Sequence, residues 1–124
     1  RKMVKIQSFT DLKAWQEGHR LVVAIYKSTK DFPPEEKFSL TSQIRRSAVS
    51  ITSNIAEGFG GQAKNDKLHF YTMSRGSILE LQNQLLIAKD IKILKDENFM
   101  GLSEQAVIVH KLLNGLVRSI RDAA

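Results

Sequence analysis

Cysteine is absent from this 124-residue chain, which removes disulfides and thiolate metal ligation from its possible chemistry and fits a reducing cytoplasm. Proline occurs only at Pro33 and Pro34, so little in the chain interrupts a helix. Long apolar runs are missing as well. The longest, Leu21 to Tyr26, spans six residues, where a membrane span needs about 20. No secretory apolar core follows the basic start at Arg1 and Lys2. Together these absences predict a soluble cytoplasmic protein with no membrane association. Aromatics make up only 7% of the residues, so a nucleic-acid partner would be held mainly through its phosphates and little through base stacking.

Positive charge is plentiful by contrast. Nineteen Lys and Arg against 13 Asp and Glu leave a net charge of +6. Such a balance raises the local concentration of anions and favours polyanion partners through counterion release. The length suits one domain, residues 1–124, able to bury about two-thirds of its unfolded surface without staples.

Apolar residues recur every three or four positions, the signature of amphipathic helix, and no stretch alternates with a period of two. The first stripe is Leu12, Trp15, His19, Val22 and Tyr26, with Thr10 placed to cap it. Pro34 suits a first helical position, and Glu35 and Glu36 follow it at the positive helix end. The second stripe is Leu40, Ile44, Ala48, Ile51, Ile55 and Phe59; the third is Tyr71, Ser74, Ile78, Leu81, Leu85 and Ala88, ending near Ile91. The fourth is Phe99, Leu102, Ala106, Val109, Leu113, Leu116 and Ile120, starting near Asp96 and tolerating Gly101. Four long helices with short connections predict an all-α, antiparallel up-down four-helix bundle. Leu21, Ile25, Leu79, Leu86, Ile108 and Leu112 fall off these stripes. Such second faces either widen a monomer core or are covered between subunits.

The richest segment chemically is "RRSAVSITSNIAEGFGG", Arg45 to Gly61. A phosphate-cradling glycine loop needs a strand before it and Lys-Ser or Lys-Thr after its last glycine. This segment has neither, so Gly58, Gly60 and Gly61 read as a helix end and turn with positive φ. Serine nucleophiles need a converging base, whereas His19, His69 and His110 fall on three different helices. Asp66 and His69 form half of a carboxylate-x-x-His metal pattern without its second copy. These readings predict no catalytic site, no cofactor and no metal.

Packing accounts for the segment better. If the second and third helices run antiparallel about a turn at 60–63, facing residue numbers sum to about 124. Ser47 then meets Ser77, Ala48 meets Gly76 and Ser50 meets Ser74, small against small, which lets two helix axes approach closely. Arg45 or Arg46 reaches Glu80, and Glu57 comes near Lys67. Arg46, Ser50, Asn54 and Glu57 also line one side of the second helix. From spacing alone that stripe fits a solvated face best, then an inter-subunit hydrogen-bond seam, then a ligand site.

Several motifs occur in order: "F-x-x-L-x-x-W" from Phe9 to Trp15, "FPPEEKFSL" around Pro33, "QIRRSAVSITSNIAEG" from Gln43 to Gly58, and "GSILEL" from Gly76 to Leu81. In these the chain resembles the four-helix-bundle family of proteins encoded in intervening sequences of bacterial 23S ribosomal RNA genes. The family motif falls here on Arg45, Arg46, Ser50, Asn54, Glu57, Gly58, Gly76, Ser77 and Glu80. "SIT" at 50–52 departs from the family, which often has a proline in the third place and a local bend there. The resemblance implies a ring-like homopentamer and no catalytic residues. It extends to the accessory proteins of diversity-generating retroelements, which work with a reverse transcriptase and its template RNA. Five copies would carry +30.

Two functions follow as expectations. One is a basic, non-enzymatic oligomer binding RNA or DNA as an accessory factor, with a reverse transcriptase as a candidate partner, through cations off the core stripes. Those cations are Lys13, Arg20, Lys27, Lys64, Lys67, Lys89, Lys92, Lys95, Lys111, Arg118 and Arg121. The other is a structural or adaptor oligomer with a protein partner and no nucleic-acid role.

Overall fold

The computed structural model of the chain describes residues 5–123; Arg1 and Lys2 lie outside them. Four helices make up the fold: α1 (Lys13–Thr29), α2 (Leu40–Gly60), α3 (Lys64–Asp90) and α4 (Asp96–Arg121). No strand occurs among the described residues. Each helix packs against its neighbour in sequence, and α1 also packs against α4. None of the helices is long and apolar enough to cross a membrane.

The core lies where the four inner faces meet. Ile44, Ile51, Ile55, Ile78, Leu81, Val109 and Leu113 are completely buried there. The expected stripes of α2, α3 and α4 supply this core, with Val117 added and the stripe ends Leu40, Phe99, Leu116 and Ile120 only partly covered. Helix α2 runs unbroken through Ser50–Thr52.

Helix α1 departs from expectation. Its buried face is Ala14, Gly18, Leu21, Ile25 and Thr29, while His19 and Tyr26 are exposed and Trp15 and Val22 half-buried. The cause is a close approach to α2. A Cβ on Gly18 would lie 3.1 Å from the Thr52 methyl, so the closest contact takes a small residue, while Leu12, Trp15 and Val22 pack against the edge of the core.

The helix starts differ from expectation too. Ser8, two residues upstream of Thr10, caps a 3-10 turn, Phe9–Asp11, in a reciprocal box with Asp11. Pro34 opens a separate 3-10 turn, Pro34–Glu36. The Glu36 carboxylate then accepts from Ser39 Oγ at 2.7 Å and from the Leu40 amide at 3.4 Å, which serves the start of α2. Past α3, Lys92 takes φ 68°, and the amides of Ile93 and Leu94 donate to the Ala88 carbonyl at 3.0 and 3.1 Å. This closes the helix with a lysine where glycine is usual.

Candidate functional site

Five of the nine motif residues, Ser50, Asn54, Gly58, Ser77 and Glu80, meet at the seam between α2 and α3. Ser47 Oγ donates to Glu80 Oε1 at 3.1 Å, and the Ser50 and Ser77 hydroxyls lie 2.9 Å apart. Asn54 Nδ2 donates to the Ser50 carbonyl at 2.9 Å and to its hydroxyl at 3.1 Å. Deeper in the seam, Ser74 Oγ donates to the Ile51 carbonyl at 2.7 Å. Small polar residues thus let the helices close together, and each hydroxyl finds a partner in the gap.

The register differs from expectation by about one turn. Ser50 meets Ser77 rather than Ser74, and Ser47 meets Glu80 rather than Ser77. The midpoint of the turn therefore falls near 63 and 64 rather than 62, because the connection after Gly60 is extended before α3 begins. The Arg–Glu80 pairing is also absent, because both arginines leave the seam. Arg45 points to the other side of α2, where Nε donates to Thr29 Oγ1 at 2.9 Å and the guanidinium lies 4.6 Å from the Tyr26 ring centre. Arg46 and Glu57 are exposed, and neither joins an ion pair among the described residues. Gly76 is open to solvent, with nothing within 4 Å of a Cβ placed there.

Gly60 ends α2 and Gly61 caps it as expected, but Gly58 serves a different purpose. None of the described glycines has a positive φ. Gly58 is buried inside α2, and a Cβ there would stand 2.5 Å from the Tyr71 ring. It makes room for that ring. Burial in turn pushes the Tyr71 phenol above its usual value of 10.0, so it stays neutral.

The predicted cations sort into distinct groups. Lys13, Arg20 and Lys27 stand exposed along α1 at intervals of seven residues. Lys13 and Lys111 line one depression between α1 and α4. Lys13 and Arg20 both approach Glu17, at 3.7 and 3.6 Å. The hydrogen bond from Gln105, followed by these two cations, holds the Glu17 carboxyl below its usual value of 4.5. Arg118 and Arg121 are exposed near the end of α4, and Lys92 and Lys95 between α3 and α4. The remaining three are engaged within the fold. Lys67 donates to the carbonyls of Gly58 and Phe59 at 3.3 and 2.8 Å, capping α2 rather than meeting Glu57. Lys64 donates to the Ala123 carbonyl at 3.0 Å, and Lys89 sits 4.8 Å from the Phe99 ring centre.

Sequence reasoning missed one arrangement. Where the end of α1 meets the start of α2, a groove of about 470 Å³ is lined by Tyr26, Lys37, Phe38, Thr41, Arg45 and Arg46, among others. Phe38 is 89% exposed and belongs to no apolar stripe. Thr41 is 7% exposed, and its hydroxyl has no hydrogen-bond partner.

The model of the 23S rRNA-intervening sequence proteins matches residues 10–115. The chain belongs to that family. A similar fold is seen in a crystal structure from Bacteroides thetaiotaomicron, a protein of unknown function from the S23 ribosomal protein family. The two share 22% identity with a TM-score of 0.79, over 85% of this chain and 95% of that one. No curated protein matches. All nine motif residues of this family member lie on α2 or α3.

Proposed function

We propose that the protein is a non-enzymatic, basic oligomer that binds the backbone of RNA or DNA. The observation that carries this reading is the exposed row Lys13, Arg20 and Lys27 on α1, beside Lys111 of α4, in a chain of net charge +6. A rise of 1.5 Å per residue sets successive charges of the row about 10 Å apart. Such a ladder suits a long polyanion better than a small one. Binding through it is sequence-tolerant and weakens steeply with salt.

The topology under this reading is an antiparallel up-down bundle. Residue numbers run oppositely across all four contacts, as in Gly18 with Thr52 and Thr29 with Arg45, or Arg75 with Asn114 and Lys89 with Phe99. We further propose a ring-like homopentamer, supported by apolar residues left outside the core. Leu79 is 57% exposed, and Leu86 and Ile108 are exposed with it, a face that a second copy would cover. Five copies would concentrate +30 in one particle. The resemblance to retroelement accessory proteins makes a reverse transcriptase the proposed protein partner, with a cytoplasmic location.

A filter-binding series from low to moderate salt, with particle mass from light scattering, tests this. RNA or DNA should be retained at low salt and released as salt rises. No retention of either eliminates the reading. A co-purifying protein that survives nuclease and high salt would instead favour the adaptor role.

A further inference from the structure

The groove between α1 and α2 brings together two exposed aromatic rings, Tyr26 and Phe38, and cations with no carboxylate facing them. Lys37 Nζ lies 5.3 Å from the Phe38 ring centre, and the Arg45 guanidinium lies 4.6 Å from that of Tyr26. A neighbouring depression shares Lys37, Thr41 and Arg45 and adds Lys30. No acidic residue lines either one. Glu36, the nearest carboxylate in sequence to Lys37, is occupied at the start of α2.

Phe38 is the informative residue. It contributes nothing to the core, and at 89% exposure its ring keeps an open face despite the lysine beside it. Tyr26 is 44% exposed, and its ring is held in place by Arg45, which is itself anchored on Thr29. Thr41, more than nine-tenths buried at the floor, carries a hydroxyl with no partner.

We propose that this groove is a binding site for single-stranded nucleic acid, with unpaired bases stacked on Phe38 and Tyr26 and phosphates held by Arg46 and Lys37. The inference rests on the nucleic-acid reading above and gives it a place and a strand preference. Paired cations and open rings match a ligand that alternates charge with flat π-faces, as a single strand does. A duplex hides its base faces, and an acidic peptide offers carboxylates without them.

The test is fluorescence anisotropy with a labelled single-stranded oligonucleotide, its abasic counterpart and the matching duplex. Phe38→Ala should weaken binding of the single strand by roughly tenfold, the scale of losing one stacked base, and leave the duplex unchanged. Phe38→Trp should restore single-strand binding. Arg46→Gln should make the single-strand salt slope shallower by about 0.7, the share of one phosphate contact. Because both side chains are exposed, the variants should melt with the wild type.

Several results would overturn the proposal. Equal losses on the duplex or the abasic strand would mean that the rings do not stack bases. Wild-type affinity in every variant would move the site elsewhere while leaving the nucleic-acid reading intact. Failure of the wild-type protein to bind any strand would remove that reading itself. A change of particle mass in Phe38→Ala would assign the groove to a contact between copies.

Discussion

Helix α2 has two flanks built from opposite materials. Toward α3 it presents Ser47, Ser50 and Asn54, whose polar atoms are consumed by Glu80, Ser77 and the backbone. Near its start, toward α1, it presents Arg45 beside an exposed tyrosine and a groove open to solvent. Polar residues on one flank tighten a contact, and on the other they leave chemistry available. The family motif lies mostly on the first flank, so the motif marks the fold more than it marks a ligand site.

Glycine substitutions test that contrast most strongly. Gly58→Ala should destabilise the protein by about 1–3 kcal/mol, because a methyl there runs into the rigid Tyr71 ring. A thermal melt followed by circular dichroism reads it, and an unchanged melt would mean that the seam yields easily. Ser74→Ala should cost about 1 kcal/mol in a urea titration, through loss of the buried bond to the Ile51 carbonyl. Gly76→Ala should act in the opposite direction. It stands in a helix with open space around it, so alanine should stabilise by about 0.5–1 kcal/mol. A drop in melting temperature together with a smaller particle would instead place that flank of α3 against another copy. The smallest effect belongs to Glu80→Gln. Its carboxylate is exposed and accepts one hydroxyl bond that an amide oxygen can also accept, so the expected change is under about 0.5 kcal/mol.

The sequence makes α2, α3 and α4 legible because their large aliphatic residues lie on the buried side. Helix α1 misleads for the reverse reason. Its buried face is partly Ala14, Gly18 and Thr29, weak signals for periodicity, while Trp15 and Tyr26 trace a conspicuous stripe outside the contact. The seam is recognisable as small against small, but a difference of one turn in register is invisible to residue counting around an extended connection. Counting also does not say which side of α2 a residue takes, and Glu80 meets Ser47 because Arg45 lies toward α1 and Arg46 toward solvent. The groove escapes a search for stripes because Lys37 and Phe38 precede α2 and have no periodic partners. Its rings and cations come from α1, the connection before α2 and α2 itself, three stretches that only the fold brings together.

The molecule divides into a seam that holds the fold and a row of exposed cations proposed to hold a polyanion. The most direct test is the salt dependence of single-stranded RNA binding by the triple variant Lys13→Gln/Arg20→Gln/Lys27→Gln, set against the wild type. Three lost phosphate contacts should make the slope of log affinity against log salt shallower by about 2, with the melting temperature unchanged. An unchanged slope, with binding intact, would contradict the assignment of that row to the nucleic-acid face.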